Sequence, residues 1–314
     1  MNLQPAIIDH PAMQSDPEDA GLGAPGIRHR LAALTGRVPP ALLLLLSVVS
    51  VQLGSAVAAL LFIDVGPIGT AFTTVGFSAI TLLVVSPPRV DRRIFRHAKL
   101  IAFYGASLAG MILPFYLAMQ TVPLGVATTI AFLGPLMLAV VTSHRVMHFV
   151  WIGVALLGLV LLTPDIGVDL DPMGLGLAAL SAFGWAGFVM ASKSAGQIFD
   201  RFSGLTFGLI VATLLLAPLA WREGTVFHAG LMPLAGSFVA GLLVTALPMM
   251  LEFLALKRVS PRTYGILVTL DPAIGALVGA IFLGQALGGR VLLAVACVTV
   301  AALGVTLFEK HDDQ

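Results

Sequence analysis

The sequence predicts an all-α integral membrane protein with ten transmembrane helices, from its composition, its apolar runs and its basic residues. Hydrophobic residues make up 58% of the 314-residue chain and charged residues only 11%. A soluble domain carries about 25% charged residues, so this chain has too few charges to cover a water-exposed surface. The net charge of +1 and the absence of a basic patch give no indication of nucleic-acid binding, and a single cysteine excludes an internal disulfide.

Ten apolar runs are long enough to cross a bilayer, which requires about 20 mostly apolar residues. In the first half of the chain, the predicted spans are 40–62, 66–86, 98–119, 124–142 and 147–164. In the second half, they are 173–193, 204–221, 231–256, 262–283 and 288–308. Residues 1–39, which are rich in Pro, Gly and Arg and lack the apolar core of a signal peptide, are predicted to be a flexible tail. Residues 309–314 form a second, short tail.

The lysines and arginines orient these spans. With the N-terminus in the cytoplasm, fifteen of the 17 basic residues fall in cytoplasmic tails and loops, and Arg222 and Arg290 fall outside. Cytoplasmic loops of membrane proteins carry such an excess of Lys and Arg. We therefore expect both termini in the cytoplasm. The bias also supports the number of spans, because one missed span would reverse the alternation.

The two halves of the chain resemble each other, which predicts two repeats over 40–164 and 173–308. Five spans per repeat is an odd number, so the second repeat is expected to be inverted relative to the first, a 5+5 arrangement. Prolines lie at two repeat-related depths: Pro114 and Pro135 in the first half, Pro248 and Pro272 in the second. Inverted repeats with interrupted helices are typical of alternating-access transporters, whose site lies near the midplane. The prolines are thus candidate helix breaks or gating points; alternatively, they only kink their helices.

Two carboxylates lie inside predicted spans, Glu252 and Asp271. A charge there costs at least about 2.5–3.5 kcal/mol on insertion scales, so it normally faces a cavity, a partner or a functional site. Asp271, near the predicted midplane, can alternate between holding a proton and holding a cation; alternatively, it is a permanently protonated acid. Glu252 lies nearer the cytoplasm, where the alternative is an ion pair with Lys193, Lys257 or Arg258.

Three softer candidates could line a substrate path. Gln52 and Trp185 occupy nearly repeat-related positions in the first and sixth spans, and Tyr116 lies near the outer end of the third. The alternative for the two aromatic residues is packing or interfacial anchoring. An enzyme is disfavoured, because all seven histidines lie outside the apolar cores of the spans and no HExxH motif, phosphate loop or dinucleotide fingerprint occurs. We predict no metal and no cofactor.

Three stretches carry a family resemblance: YLAMQTVPLGVATTIAFLGPL, LSAFGWAGFVMASKSAG and TALPMMLEFLALKRVSPRTYGILVTLDPAIGALVGAIFLG. They resemble the drug/metabolite transporter superfamily, and more narrowly the threonine and homoserine exporters with two EamA domains. The resemblance implies a ten-helix 5+5 inverted repeat. The family's motif positions fall on Ser50, Gln52, Leu247, Pro248, Glu252, Asp271 and Pro272. The fourth span departs from the pattern, with Ala131 where those exporters carry an acidic residue.

Together these observations predict a secondary active transporter with a midplane site, working by proton antiport on a small-molecule substrate. Amino-acid substrates, outward direction and the bacterial inner membrane follow from the resemblance alone. The alternatives are an exporter of other metabolites or drugs in the same superfamily, a lipid flippase or a membrane sensor. The protein is expected to be a monomer or a homodimer.

Overall fold

The computed structural model describes residues 38–88, 90–122, 124–141, 146–162, 171–199 and 202–268, together with Asp271 and a few single residues beyond it. Within these ranges the protein is helical, without strands. Most of the predicted N-terminal tail, the C-terminal tail and most of the predicted spans 262–283 and 288–308 lie outside the described residues. Pro272 lies outside them too.

The first half of the chain forms α1 (Pro40–Leu61), α2 (Gly66–Val85), α3 (Arg92–Arg96), α4 (Ala98–Ala118), α5 (Leu124–Val141) and α6 (Val146–Leu162). The second half forms α7 (Pro172–Ile198), α8 (Ser203–Glu223), α9 (Thr225–His228), α10 (Leu231–Leu256) and α11 (Pro261–Val268). Of these, α2, α4, α7, α8 and α10 are long and apolar enough to cross a membrane. This confirms the prediction of an all-helical, multi-pass membrane protein.

Most helix ends lie close to the predicted bounds, but α7 does not stop at its predicted end. It continues past Lys193 to Ile198. The ammonium of Lys193 donates a hydrogen bond to the carbonyl oxygen of Val259 at 2.8 Å. A charged residue that finds such a partner does not need to leave the helix for water. The sequence rule that a charge ends a span therefore fails at this position.

The start of α7 follows a local signal. Asp171 caps the helix, accepting hydrogen bonds from the backbone amides of Met173 and Gly174 at 3.2 and 3.0 Å. Asp is among the preferred residues at this position because its side chain satisfies amides that have no helical partner. The side chain of Thr121 and these two amides hold the pKa of Asp171 below its usual value. The cap thus stays ionised at neutral pH.

Many of the helix contacts join the first half of the sequence to the second. Helix α4 packs extensively against α7 and α8, while α10 packs against α1 and α2. Helix α2 packs against α8, and α5 against α11. Exchanging α1 with α7, α2 with α8, α4 with α10 and α5 with α11 reproduces these pairs. Each half therefore completes its packing with helices of the other half.

The backbone of α10 is irregular in the middle. Residues Gly241–Ala246 form a π-helical segment that ends just before Pro248. Proline has no N–H, so Pro248 cannot bond to the carbonyl of Val244, and the helical ladder is interrupted there. π-Helical turns are one form of such interruption and are frequent at functional sites. By contrast, Pro114 and Pro135 lie inside α4 and α5, which continue through them.

Candidate functional site

The two predicted candidates Gln52 and Asp271 meet in the structure. The side-chain Nε2 of Gln52, on α1, donates a hydrogen bond to Oδ1 of Asp271 at 3.2 Å. Asp271 is 9% exposed. A carboxylate has about four acceptor positions, so the amide can orient Asp271 while its other positions hold a proton or a cation. This bond joins residues from opposite halves of the sequence.

Glu252 lies in a second polar cluster. Ser47 donates a hydrogen bond to its Oε1 at 2.8 Å, and the hydroxyl of Tyr264 donates one to its Oε2 at 2.7 Å. The indole Nε1 of Trp185 donates in turn to the Tyr264 hydroxyl at 3.1 Å. We call Ser47, Trp185, Glu252 and Tyr264 the Glu252 network. Its members come from α1, α7, α10 and α11.

The three basic residues considered as ion-pair partners of Glu252 have other described contacts. Besides the Lys193 bond to Val259, Arg258 Nη1 donates to the carbonyl oxygen of Val38 at 3.0 Å. The Lys257 ammonium lies 5.2 Å from the centre of the Phe253 ring. The hydrogen bonds described for Glu252 come from hydroxyl groups. Its geometry therefore fits a group inside the protein better than a simple boundary ion pair.

The aromatic candidates differ in their surroundings. The ring of Trp185 lies against Phe132, with centroids 4.8 Å apart, and its N–H points into the Glu252 network. Tyr116 is 6% exposed, and its ring meets that of Phe62 edge-to-face at 5.3 Å. Trp185 is thus connected to a predicted site carboxylate, whereas Tyr116 forms a side-chain hydrogen bond with Thr74 and has no described bond to either carboxylate.

The irregular turn of α10 is also bonded to the first half of the chain. Ser50 on α1 donates a hydrogen bond to the carbonyl oxygen of Leu243 at 2.7 Å. Ser78 on α2 donates to the carbonyl oxygen of Gly241 at 2.9 Å. Hydroxyls from neighbouring helices commonly satisfy carbonyls that an interrupted membrane helix leaves without partners. Ser50 therefore bonds to the backbone of α10, while Gln52, two residues later on the same helix, bonds to the side chain of Asp271.

Sequence reasoning missed Ser47 and Tyr264. Tyr264 could have been found, because it lies seven residues before Asp271, which is two turns of an α-helix and places both on one face. Ser47 offered no such signal, since serines in membrane helices commonly bond to their own backbone. In the part of the chain that the structure describes, no cluster of His, Cys, Asp or Glu is placed to hold a metal ion.

Apolar helices of the two halves pack against one another, and hydrogen bonds join Glu252 and Asp271 to side chains of the first half. This arrangement is the one expected of a multi-pass membrane transporter. A sequence profile of the EamA-like transporter family matches residues 172–307. The chain belongs to this family, which confirms the predicted resemblance and classes the protein with transporters rather than enzymes.

Two relatives cover nearly the whole chain. It is 36% identical over 280 residues to the threonine/homoserine exporter RhtA of Escherichia coli strain K12, covering 88% of this chain and 94% of that protein. It is 35% identical, with the same coverage, to the threonine/homoserine exporter RhtA of Salmonella typhimurium strain LT2. A solved crystal structure matches this protein with a TM-score of 0.67 at 18% sequence identity, covering 88% of this chain and 99% of the other. That likeness shows a shared fold.

Proposed function

We propose that this protein is a secondary active exporter of small amino acids resembling threonine and homoserine, or of related metabolites. In this proposal it works by proton antiport in the bacterial inner membrane. The hydrogen bond between Gln52 and Asp271 carries the proposal, because it places an ionisable group between the two halves of a membrane transporter. The names of the two relatives support the amino-acid substrates and the direction.

The fold that goes with this function has ten transmembrane helices in two inverted repeats, 40–164 and 173–308. Tails over 1–39 and 309–314 lie in the cytoplasm. The packing pattern supports the repeats, because the pairs of α4 with α7 and α8 correspond to those of α10 with α1 and α2. A two-fold axis in the membrane plane generates such paired contacts, and alternating access then consists of one repeat rocking against the other.

The predicted orientation is tested by reporter fusions. A reporter that is active only in the cytoplasm should work when it is fused after His97 or at Gln314, because the inverted topology places both positions inside. The same reporter should fail after Asp169, which lies between the two repeats. Activity is normalised to the amount of fusion protein in the membrane. A working fusion at Asp169 would contradict the topology, because the two halves would no longer be antiparallel.

The mechanism follows from the charges of a zwitterionic substrate. Its ammonium group requires an anion, which Asp271 supplies while it is deprotonated. Its carboxylate requires hydrogen-bond donors, which helix N-terminal amides after Pro272 could supply. Pro135 lies inside the continuous helix α5 and so offers no such N-terminus. Substrate and proton then compete for one carboxylate. A proton that enters from outside releases the substrate there, and its departure to the cytoplasm readies Asp271 for the next substrate. Glu252 serves as a gate residue nearer the cytoplasm.

Proteoliposomes test the function directly. With an acidic lumen and a more alkaline exterior, labelled threonine or homoserine should accumulate in vesicles that contain the protein, because protons leave as substrate enters. A protonophore should collapse the accumulation, and empty vesicles provide the control. If both amino acids fail while another metabolite accumulates, antiport stands and the amino-acid substrate class is wrong. Accumulation that ignores the pH gradient would contradict proton coupling.

A further inference from the structure

We propose that Tyr264 holds a hydrogen-bonded gate at the cytoplasmic end of the path, which the ammonium group of the substrate opens by replacing hydroxyl donors on Glu252. The proposal rests on the proposed orientation and deepens the proposed function. Tyr264 is 0% exposed, and its hydroxyl is the central member of the Glu252 network. It is a positioning residue: it holds Glu252 and Trp185 in one arrangement.

One hydroxyl group makes both of these bonds. A tyrosine hydroxyl has a single proton to donate and can accept further bonds. In Tyr264 the proton goes to Oε2 of Glu252 at 2.7 Å, and the oxygen accepts the Trp185 N–H at 3.1 Å. The hydroxyl of Ser47 donates the third hydrogen bond of the network, to Oε1 of Glu252 at 2.8 Å. Four helices from both halves are thus tied together by three bonds, and loss of the Tyr264 hydroxyl removes two of them.

The repeat provides a comparison at the other end of the path. Ala118 follows Pro114 by four residues, as Glu252 follows Pro248. Ala127 precedes Pro135 by eight residues, as Tyr264 precedes Pro272. Both alanines are 0% exposed, and they pack together with Ala178 of α7. The repeat-related positions therefore differ: at one end small apolar residues pack together, and at the other Glu252 and Tyr264 are joined by a hydrogen bond.

These two contacts respond differently to a polar substrate. An alanine contact offers no hydrogen bond that a substrate could replace, and small residues of this kind mainly allow close helix packing. The carboxylate of Glu252 is held by two neutral hydroxyls. An ammonium group is a stronger partner, because it adds the attraction between opposite charges to the hydrogen bond. An exporter loads from the cytoplasm, so a gate that the cargo itself unlocks belongs on that side.

Thiol labelling measures the gate without requiring transport. Cys297→Ser removes the native thiol that the structure describes as partly buried, and Ser50→Cys adds a reporter two residues before Gln52. In this background, Tyr264→Phe should raise the rate of labelling by an impermeant reagent about tenfold from the cytoplasmic face. Tenfold corresponds to about 1.4 kcal/mol, which is the net contribution of about one hydrogen bond. Labelling from the outer face should not rise.

Tyr104→Phe is the matched control. Tyr104 is also 0% exposed, and its hydroxyl bonds with Ser192 at 2.6 Å, but this bond joins only α4 and α7. The labelling rate of the Tyr104→Phe variant should equal that of the parent. Ser47→Ala, which removes one bond of the network, should raise cytoplasmic labelling by less than Tyr264→Phe. Threonine should accelerate labelling in the parent and have little further effect in Tyr264→Phe.

The proposal is overturned if Tyr264→Phe and Ser47→Ala both fold, as judged by size-exclusion chromatography, and label at the parent rate. It is equally overturned if labelling rises to the same extent from both faces, since that would indicate general loosening. The proposed antiport is judged separately in proteoliposomes. Open-gate labelling without pH-driven accumulation would contradict antiport and leave the gate standing.

Discussion

Asp271→Asn is expected to abolish proton-driven transport while the protein still inserts and folds. The amide has nearly the size of the carboxylate and can still bond with Gln52 at the observed separation of 3.2 Å. It carries no negative charge for the substrate's ammonium and has no proton to exchange. If Asp271 is where substrate and proton compete, removing its titration removes both the binding of the cation and the coupling to the gradient.

The measurement is pH-driven accumulation of labelled threonine in proteoliposomes, with thermal unfolding of the purified variant as the test of folding. Asp171→Asn is the control, because it makes the same chemical change at a helix cap, where Asn serves about as well as Asp. It should accumulate substrate like the parent. An Asp271→Asn protein that concentrates threonine with the parent's pH dependence would show that the coupling group lies elsewhere.

Gly134→Ala is expected to cause a large loss of stability for the addition of a single methyl group. Gly134 lies on α5, and a Cβ atom placed there would overlap the carbonyl oxygen of Ala182 and lie 2.8 Å from its carbonyl carbon. These are backbone atoms of α7, so no side chain can rotate away and the two helices must separate. Overpacking of this kind typically costs about 1–3 kcal/mol.

Gly153→Ala on α6 supplies the control, because a Cβ there meets nothing within 4 Å. Alanine is favoured over glycine in a helix by about 1 kcal/mol, so this variant should be as stable as the parent or slightly more stable. Thermal unfolding in the same detergent compares the two. Equal unfolding temperatures for Gly134→Ala and Gly153→Ala would show that α5 and α7 do not approach at this point as described.

The site residues illustrate how far sequence reasoning reaches. A carboxylate in an apolar run is conspicuous because its insertion cost demands a reason, so Asp271 and Glu252 could be selected without a structure. Their partners could not be selected in the same way. Ser47 is an ordinary serine among leucines, and its bond to Glu252 spans 205 positions of sequence. Whether the selected residues carry transport remains a prediction for the experiments above.

That this is a helical membrane protein follows from the sequence alone. Placing polar groups in hydrocarbon is costly, so each membrane-spanning segment must be a long apolar run. The sequence also located most helix boundaries and identified the family through its motifs. What each repeat-related position contacts could be read only from the folded protein. Gly134 and Asp271 each precede a proline at equivalent places, yet one meets the backbone of α7 and the other accepts a bond from Gln52. Which helix lies opposite decides this, because side-chain contacts across helices depend on packing that no local pattern contains.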